Sequence, residues 1–384
     1  MEEAARLLER LAENGRRPFA HAQTLPPGVY ASPEFLRLEI ERIFHREWLC
    51  VGRADDLPNP GDYLTTDIPG LPIVTVRDAS GRLSTFSNIC RHRLMRLLDG
   101  SGNRARGIVC PYHAWTYDLG GQLIGAPHME RTDGFDRQWI CLPKLRTEIW
   151  EGWLYVTLNP DIAPLSRHLA ELQGIVGRYQ TAGYIKLYQE EFEWRTNWKC
   201  LMENFMEDYH LPVVHRATIS GYSPTNEVEV FDGRDAFSYH FNRKTPDAPR
   251  GLAHRDNTSL EGDWRRTTIL YAVLPSHLVN LGPDHTWYLS LFPKDTDRVL
   301  VRFGLSYAPE VLAEVNDRAA FTAKWRAFFD TLNAEDRGVV EGVRASAGAR
   351  LAASGPLSYL ERFSYDFGRY LHRKLSAQAR SDDG

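Results

Sequence analysis

The chain has 384 residues, of which 43% are hydrophobic and 25% are charged, and its formal net charge is −4. This composition is typical of a globular protein, and so small a charge argues against nucleic acid or an anionic membrane as a partner. No run approaches the roughly 20 apolar residues that a membrane helix requires, and the N-terminus lacks the apolar region of a secretory signal. The five cysteines, an odd number, fit a reducing compartment better than a disulfide framework. We therefore expect a cytoplasmic protein.

The first predicted elements are helices. Residues 1–14 repeat apolar positions with helical spacing. Ser32 and Pro33 are typical of an N-cap and a first helical residue, and they predict a second helix that ends near Arg46. We assign residues 1–45 to N-terminal helices that pack on the largest domain of the chain.

Residues 46–160 have a different pattern, in which short β-rich runs alternate with turns rich in Gly, Pro and Asp. The clearest runs are Ile73–Arg77, Ile108–Cys110 and Trp153–Leu158. Together they predict a small antiparallel β domain with many loops.

Residues 161–384 mix strands and helices, which makes the fold class of the chain α+β. Residues 220–265 are polar, and we expect irregular structure there. Strands are predicted at Leu187–Arg195, Thr267–Val273, Thr286–Phe292 and Val299–Tyr307. Helices are predicted at Leu165–Tyr179, Trp198–His210, Pro309–Leu332, Glu335–Ala345 and Ser358–Leu375. The expected architecture of this larger domain is an antiparallel sheet flanked by helices.

Two cysteine–histidine pairs lie in loops of the β domain. Cys90 and His92 form the first pair, and Cys110 and His113 form the second. Two thiolates and two imidazoles suit either Zn²⁺ or an iron–sulfur cluster of mixed ligation. Zinc sites usually pair Cys with Cys and His with His, so one of each in both loops is unusual for zinc. In a Rieske centre, the two cysteines bind one iron and the two histidines bind the other.

A second group of metal-binding residue types lies near the end of a predicted helix. Glu203, Glu207 and His210 occupy positions i, i+4 and i+7, which share one helical face. Pro212 disturbs the helix, and His215 can then approach His210. Two histidines and a carboxylate form the facial triad that holds Fe(II) with open positions. The alternative is that both histidines only cap backbone carbonyls.

Together, the two motifs resemble the α-subunits of Rieske non-haem iron oxygenases, the ring-hydroxylating oxygenase family. The resemblance rests on the two cysteine–histidine pairs, then on Asn-Trp-Lys, Glu-Asn and acid-x-Tyr-His-x4-His from residue 197 onward. It implies a Rieske domain at residues 46–160 and a catalytic mononuclear-iron domain at residues 161–384. Each subunit would hold one [2Fe–2S] cluster and one Fe(II).

The resemblance also assigns the metal ligands. The two cysteine–histidine pairs correspond to the cluster ligands, and His210 and His215 correspond to the iron histidines. The third iron ligand in the family is an aspartate on a C-terminal helix. We choose Asp336 and place Glu335 second, although acidic residues near a helix start also complement the helix dipole.

One position departs from the family pattern. Family members usually carry an aspartate three residues before the first iron histidine, where it links that histidine to a cluster histidine of the neighbouring subunit. This chain has Glu207 there, with Asp208 one step later. Helical geometry places Glu207 on the His210 face and turns Asp208 about 100° away. We expect Glu207 to be the bridging carboxylate, with Asp208 as the alternative. A glutamate here resembles the subgroup of choline, glycine betaine and carnitine oxygenases.

Downstream strands offer residues for a substrate pocket. Tyr271 and Trp287, with Asn280 between them, are candidates for a wall that binds a cation through aromatic faces. Residues of this kind are more commonly part of an ordinary core.

The resemblance implies a terminal oxygenase that uses O₂ to hydroxylate or oxidatively demethylate a small organic substrate. The chain has no nucleotide-binding fingerprint, so NAD(P)H would act only through a separate ferredoxin or flavin reductase. A homotrimer of this chain is expected, because family members transfer electrons between subunits. Whether a small β subunit also joins the trimer is left open by the sequence. Cis-dihydroxylation of an aromatic ring is the alternative within the family. A zinc-stabilised binding protein without redox function is the alternative outside it.

Overall fold

The computed structural model describes residues 2–376, so Met1 and residues 377–384 of the predicted catalytic region lie outside the described residues. Two compact units make up the chain. The smaller unit comprises Phe44–Leu165, and the larger unit combines the segment before Phe44 with the segment after Leu165. In the described part of the chain, no helix is both long enough and apolar enough to cross a membrane.

The smaller unit is built from antiparallel strands, as its sequence predicts. The strands are β1 (Leu49–Arg53), β2 (Asp62–Ile68), β3 (Leu71–Arg77), β4 (Leu83–Ser87), β5 (Ser101–Asn103), β6 (Ile108–Val109), β7 (Thr116–Tyr117), β8 (Leu123–Gly125), β9 (Lys144–Trp150) and β10 (Trp153–Thr157). One sheet has the strand order β1-β10-β9-β4-β3-β2-β5, and a second sheet has the order β6-β7-β8.

The core of the smaller unit includes two of the candidate metal ligands. Cys90 and Cys110 are buried among Phe86, Trp115 and Tyr117. Strands β6 and β7 are only two residues long. Packing of these side chains, rather than a long ladder of hydrogen bonds, therefore fixes the loop that joins the two strands.

The larger unit contains one antiparallel sheet. The helices of the described residues are α1 (Glu2–Gly15), α2 (Gly28–Ala31), α3 (Pro33–Glu39), α4 (Leu165–His168), α5 (Ala170–Val176), α6 (Trp198–Phe205), α7 (Leu211–Val214), α8 (Pro309–Ala313), α9 (Arg318–Ala347) and α10 (Arg362–Ser376). The strands of the larger unit are β11 (Ile185–Trp194), β12 (Val228–Val230), β13 (Phe237–Arg243), β14 (Thr267–Val273), β15 (His277–Leu281), β16 (His285–Pro293) and β17 (Val299–Tyr307). The strand order is β11-β17-β16-β15-β14-β13-β12.

The N-terminal segment packs against the C-terminal helix within the larger unit. Leu7 and Leu11 of α1 are buried. The hydroxyl of Tyr365 in α10 donates a bifurcated hydrogen bond to the carbonyls of Gly15 and Arg17, at 3.3 Å and 2.7 Å. Apolar packing and this bond therefore join the two ends of the described chain.

The prediction of irregular structure at residues 220–265 is wrong, because β13 forms there. Its sequence, Phe-Ser-Tyr-His-Phe-Asn-Arg, alternates aromatic and polar residues, which places the polar residues on one face of the strand. Those residues, Ser238, His240 and Asn242, are themselves buried. Polarity is therefore no sign of a loop in this segment. Strand β15 is also absent from the prediction.

The helix predicted over Trp198–His210 is too long, since α6 ends at Phe205. Beyond it, the Glu207 carboxylate accepts hydrogen bonds from the backbone N–H groups of Tyr209 and His210. A side chain that binds nearby backbone groups competes with helical hydrogen bonds. The chain consequently turns here, and Glu207 lies in the turn rather than on a helical face.

The predicted break between two helices near residue 333 is wrong as well. Helix α9 runs without interruption from Arg318 to Ala347. Its start is fixed by Asp317, whose side chain accepts the N–H of Ala320 at 2.9 Å, as an N-cap residue does. The segment Asn333-Ala334 contains neither Gly nor Pro, so nothing ends the helix there.

A buried ion pair connects α3 and α6. Nζ of Lys199 lies 2.8 Å from the Glu39 carboxylate, and both side chains are fully buried. The indole N–H of Trp198 donates to the same carboxylate at 2.9 Å. Burial raises the pKa of Glu39, and Lys199 and Trp198 oppose that rise. The pair therefore anchors the start of the helix that leads to the candidate iron histidines.

We expect Lys199→Met to lower the free energy of unfolding by about 3–5 kcal/mol, because it leaves Glu39 buried without its counter-charge. Urea denaturation of the purified protein measures the change. The control is Arg373→Met, which removes an exposed pair with Asp235 and should cost about 1 kcal/mol or less. Equal losses in the two variants would contradict the anchoring role.

Candidate metal centres

The two cysteine–histidine loops of the smaller unit share one backbone arrangement. In the first loop, the N–H of Cys90 donates to the carbonyl of the fifth residue on at 2.8 Å, and the N–H of Leu94 donates back to Cys90 at 3.2 Å. Cys110 and Ala114 repeat both bonds in the second loop, at 2.8 Å and 3.1 Å. Leu94 and Ala114 have φ values of 58° and 56°, in the left-handed region that tight turns require. The two loops therefore present their side chains in equivalent ways.

The cysteine side of this site is buried, whereas the histidine side reaches the surface of the unit. Cys90 and Cys110 are 1% and 2% exposed, but His92 is exposed. The ring centroids of His92 and His113 are 4.6 Å apart. The hydroxyl of Tyr117 lies 3.3 Å from Sγ of Cys90, where it supplies a hydrogen bond to the sulfur.

The donor set of the loops fits a [2Fe–2S] cluster. Burial and the nearby Cys90 thiol raise the pKa of Cys110, so the charge of a bound metal would favour deprotonation of the Cys110 thiol. Partial burial, with His92 and Arg93 nearby, lowers the pKa of His113, which keeps the imidazole in its neutral, metal-binding form. Nδ1 of His113 is buried and has no hydrogen-bond partner among residues 2–376, so its lone pair is available to iron.

Three other donors converge in the larger unit. His210 precedes α7, His215 follows it, and Asp336 lies within α9. Oδ1 of Asp336 is 3.0 Å from Nε2 of His215 and 3.5 Å from Nε2 of His210. The three ligand atoms all lie within 4.8 Å of one another. Oδ1 of Asp336 is buried and accepts no hydrogen bond from the described residues. This arrangement fits a facial triad around one iron.

Each of these histidines is oriented by a carboxylate at its other ring nitrogen. Oε1 of Glu207 lies 2.5 Å from Nδ1 of His210, and Oε2 of Glu335 lies 2.8 Å from Nδ1 of His215. The hydroxyl of Thr218 donates to the same Glu335 oxygen at 2.7 Å. Such carboxylates hold the proton on Nδ1 and leave the Nε2 lone pair for the metal. Glu335, the second choice for the third ligand, thus contacts Nδ1 of His215.

The carboxylates also act on the protonation of the imidazoles. Burial lowers the pKa of His210, but Glu207 and Asp336 outweigh it and raise that pKa. Asp336 and Glu335 likewise outweigh burial and raise the pKa of His215. Protons therefore compete with iron for these imidazoles, because only the neutral imidazole is a ligand.

Asp208 contacts the large sheet. Its Oδ2 accepts a hydrogen bond from Asn242 at 2.9 Å and lies 3.5 Å from Nε2 of His240. Burial raises the pKa of Asp208, but His240, Asn242 and Lys244 outweigh it and lower that pKa to about 2. Asp208 is therefore an ionised carboxylate bound to β13, and Glu207 is the acid that contacts the first iron histidine.

A cavity lies between the three donors and one face of the large sheet. Asn280 of β15 pairs with Leu270 of β14 on one side and with Trp287 of β16 on the other, so these side chains share a face. All three line the cavity. Tyr271 follows Leu270 and points to the opposite face, where it is fully buried. Of the residues suggested for a cation-binding wall, Asn280 and Trp287 are at the cavity, and Tyr271 is not.

Comparison with known families decides which kind of protein carries these sites. Residues 47–144 match the family described as the Rieske [2Fe-2S] domain, and residues 182–377 match the ring hydroxylating alpha subunit (catalytic domain). The chain belongs to the ring-hydroxylating oxygenase α-subunit family. This oxygenase carries one [2Fe–2S] cluster and one mononuclear iron, and the predicted family and fold class are confirmed. The zinc interpretation is wrong, because the two cysteine–histidine pairs lie in a Rieske domain.

The oxygenase is similar to characterised relatives. A carnitine monooxygenase oxygenase subunit from Acinetobacter baumannii is 27% identical over 338 residues, which cover 86% of each chain. A glycine betaine monooxygenase oxygenase subunit from Pseudomonas aeruginosa is 31% identical over 190 residues, which cover 50% of this chain and 44% of that protein. The crystal structure of the quaternary ammonium Rieske monooxygenase CntA with an inhibitor has the same fold, with a TM-score of 0.82 and 21% identity, over 95% of this chain and 98% of that one.

Two contacts in the sites of the oxygenase are absent from the sequence-based prediction. The first is the hydroxyl of Tyr117 at Cys90, for which the sequence carries no signal. The second is Glu335 at His215. A signal for the second exists, because residues adjacent on a helix diverge by about 100°. The side chains of Glu335 and Asp336 therefore cannot both point to the same metal. The one that points away from the metal can contact the other ring nitrogen of a histidine ligand.

We expect Asp336→Ala to lose the mononuclear iron and turnover but to keep the visible spectrum of the cluster, since Asp336 belongs to the larger unit alone. Iron content per subunit and the absorption spectrum measure the two effects. Asp330→Ala is the matched control, because Asp330 is an exposed residue of the same helix. Full iron content in Asp336→Ala would show that another residue is the third ligand.

Proposed function

We propose that this chain is the terminal oxygenase of a cytoplasmic multicomponent system. It accepts single electrons from a separate ferredoxin or flavin reductase and uses O₂ to hydroxylate or oxidatively demethylate a small organic substrate. The observation that carries the proposal is the presence of two metal-binding donor sets in one chain, two Cys and two His in the smaller unit and two His with one Asp in the larger unit. One set suits electron storage, and the other suits oxygen activation.

The residues of the chain prepare this chemistry. When bound, the cluster supplies electrons one at a time, and the iron supplies the site for O₂ activation. Glu207 and Glu335 hold the two imidazoles with Nε2 toward the metal side. The face of the sheet that carries Asn280 and Trp287 positions the substrate next to the Nε2 atoms of these imidazoles. His210, His215 and Asp336 would hold the iron through three protein ligands.

We further propose that electrons pass between subunits of a homotrimer, through Glu207. The support comes from a separate cavity of about 590 Å³, which is lined by Glu203, Glu207 and Glu361 and reaches the Nδ1 side of His210. The cluster loops carry exposed cationic side chains at Arg91 and Arg93. The carboxylate of Glu207 complements these cations, which favours docking of a cluster from a neighbouring copy.

The substrate class that we propose is the quaternary ammonium compounds. Two observations support it: the glutamate at position 207, and the similarity to subunits that act on carnitine and glycine betaine. Cis-dihydroxylation of an aromatic ring is the alternative reaction, and its diol product would distinguish it from monooxygenation.

A substrate screen tests the proposed function. We expect the reduced, anaerobic protein to oxidise its cluster when O₂ and a quaternary ammonium compound are added together, and to remain reduced longer when the compound is omitted. The cluster absorbance follows the reaction, and product analysis identifies a hydroxylated or demethylated product. Formation of a cis-diol from an aromatic ring, with no turnover of any quaternary ammonium compound, would contradict the proposed substrate class.

We expect Glu207→Gln to slow oxidation of the cluster by O₂ and substrate by at least about tenfold, because it removes the charge at Nδ1 of His210 but keeps an acceptor of similar size. Both metals should remain at wild-type content. Stopped-flow absorbance measures the rate. Glu229→Gln, which changes an exposed acid paired with Arg243, is the control. A wild-type rate in Glu207→Gln would exclude the bridging role.

A further inference from the structure

Two buried cations line the substrate cavity beyond the iron ligands. Lys244 lies where the cavity at the three donors adjoins a second cavity, and Arg250 lines the second one. Both cavities reach Asn280 and Trp287. Lys244 is 8% exposed and Arg250 is 9% exposed. Of the described residues that line the second cavity, none is an aspartate or a glutamate.

Lys244 has neutral hydrogen-bond partners only. Its Nζ donates to Oγ of Ser223 at 2.7 Å and to Oδ1 of Asn242 at 3.2 Å. An ammonium group has three N–H donors, so one remains available. Asp208 raises the pKa of Lys244, but its carboxylate is hydrogen-bonded to the amide of Asn242, which lies between them. Among residues 2–376, Lys244 forms no ion pair with a carboxylate, and its ammonium donates to neutral oxygens.

Arg250 also lacks a carboxylate partner in the described part of the chain. Its Nε donates to the hydroxyl of Tyr222, and its guanidinium lies over the ring of Phe328, with 3.4 Å between the guanidinium carbon and the ring centroid. Asp284 is the nearby acid, but it accepts hydrogen bonds from the ring of His285 at 2.7 Å and from a backbone N–H at 3.0 Å. The planar outer edge of the guanidinium therefore has unused donors.

Two like charges in a buried site are unfavourable unless an anion joins them. Burial lowers the pKa of Lys244 to about 8, and Arg250 adds to that decrease, while Asp208 and Asp284 oppose it. The residual donors of an arginine and a lysine match the oxygens of a carboxylate, which an arginine can bind with two parallel hydrogen bonds.

We propose that Lys244 and Arg250 bind the carboxylate of the substrate and so direct its other end to His210, His215 and Asp336. This inference rests on the proposed function and narrows its substrate class. Among quaternary ammonium compounds, it selects those that carry a carboxylate, such as carnitine and glycine betaine, over choline, in which an alcohol takes the place of the carboxylate.

The aromatic residues near Arg250 also favour binding of a carboxylate, rather than of a quaternary ammonium group, at this end of the cavity. The guanidinium lies within 5.2 Å of the ring centroids of Tyr222 and Trp325, in addition to that of Phe328. Aromatic faces that would otherwise receive a trimethylammonium group are thus already occupied by a cation of the protein. Trp287 and Phe205 line the cavity on the side of the candidate iron ligands, so their aromatic faces are available to a trimethylammonium group.

Binding of matched ligands to the holoenzyme tests the proposal. Isothermal titration calorimetry without O₂ compares carnitine, glycine betaine and choline. We expect at least one carboxylate compound to bind about tenfold or more tightly than choline. Arg250→Gln should weaken the carboxylate compound by about 10–100-fold, as expected for loss of charge-assisted hydrogen bonds, and should leave the affinity for choline unchanged. Lys244→Met provides a second variant with the same expected direction.

Controls separate this effect from misfolding and from failure of the proposed function. Arg243→Gln changes a neighbouring arginine that pairs with Glu229 outside the cavity, and it should bind like the wild type. Each variant must keep the cluster spectrum and iron content. Equal binding of choline and the carboxylate compounds, or equal weakening of both in Arg250→Gln, would overturn the proposal.

The binding experiment distinguishes two failures, that of the proposed substrate class and that of the proposed anion site. If no quaternary ammonium compound binds but benzoate binds in a manner that depends on Arg250, the anion site stands and the proposed substrate class falls. If no carboxylate of either kind binds, the anion site falls.

Discussion

The oxygen-activating site depends on two contacts between carboxylates and imidazoles. Glu207 and Glu335 each bind Nδ1 of one histidine, and this leaves both Nε2 atoms directed at Asp336. Because His210 and His215 lie at the two ends of a helix of only four residues, the backbone alone gives their rings little restraint. The side-chain contacts fix the ring orientation, and the order of the site therefore relies on charge as well as on packing.

The candidate metal donors can be picked out in the sequence, because metals restrict both the residue types and their local spacing. The candidate third ligand is harder to choose, since Glu335 and Asp336 are adjacent and their positions differ only when α9 is placed against the histidines. The helix over 198–210 was predicted too long because its pattern of polar and apolar residues continues, while a side chain of Glu207 ends it. Lys244 and Arg250 lie in a segment whose buried polar strand, β13, has the composition of a loop. Their position at the cavity follows from the pairing of β13 with β14, which is a long-range property.

The two cysteine–histidine loops of the Rieske domain place their side chains in two environments. The cysteines are enclosed by aromatic residues, and one sulfur receives a hydrogen bond from Tyr117. Hydrogen bonds to the sulfur and a change in solvent access both alter the reduction potential of such a centre. The exposed His92 places the histidine side of this site at the surface of the unit. Protection of the cysteine side and access on the histidine side are therefore properties of one small domain.

Asn242 has a mechanical consequence for the oxygenase. Its amide accepts a hydrogen bond from Lys244 and donates one to Asp208, and Asp208 directly follows Glu207 in the chain. One amide thereby links Lys244, on the floor of the cavity, to the residue that follows Glu207. The cavity and the turn that carries Glu207 and His210 are thus joined by a single pair of hydrogen bonds.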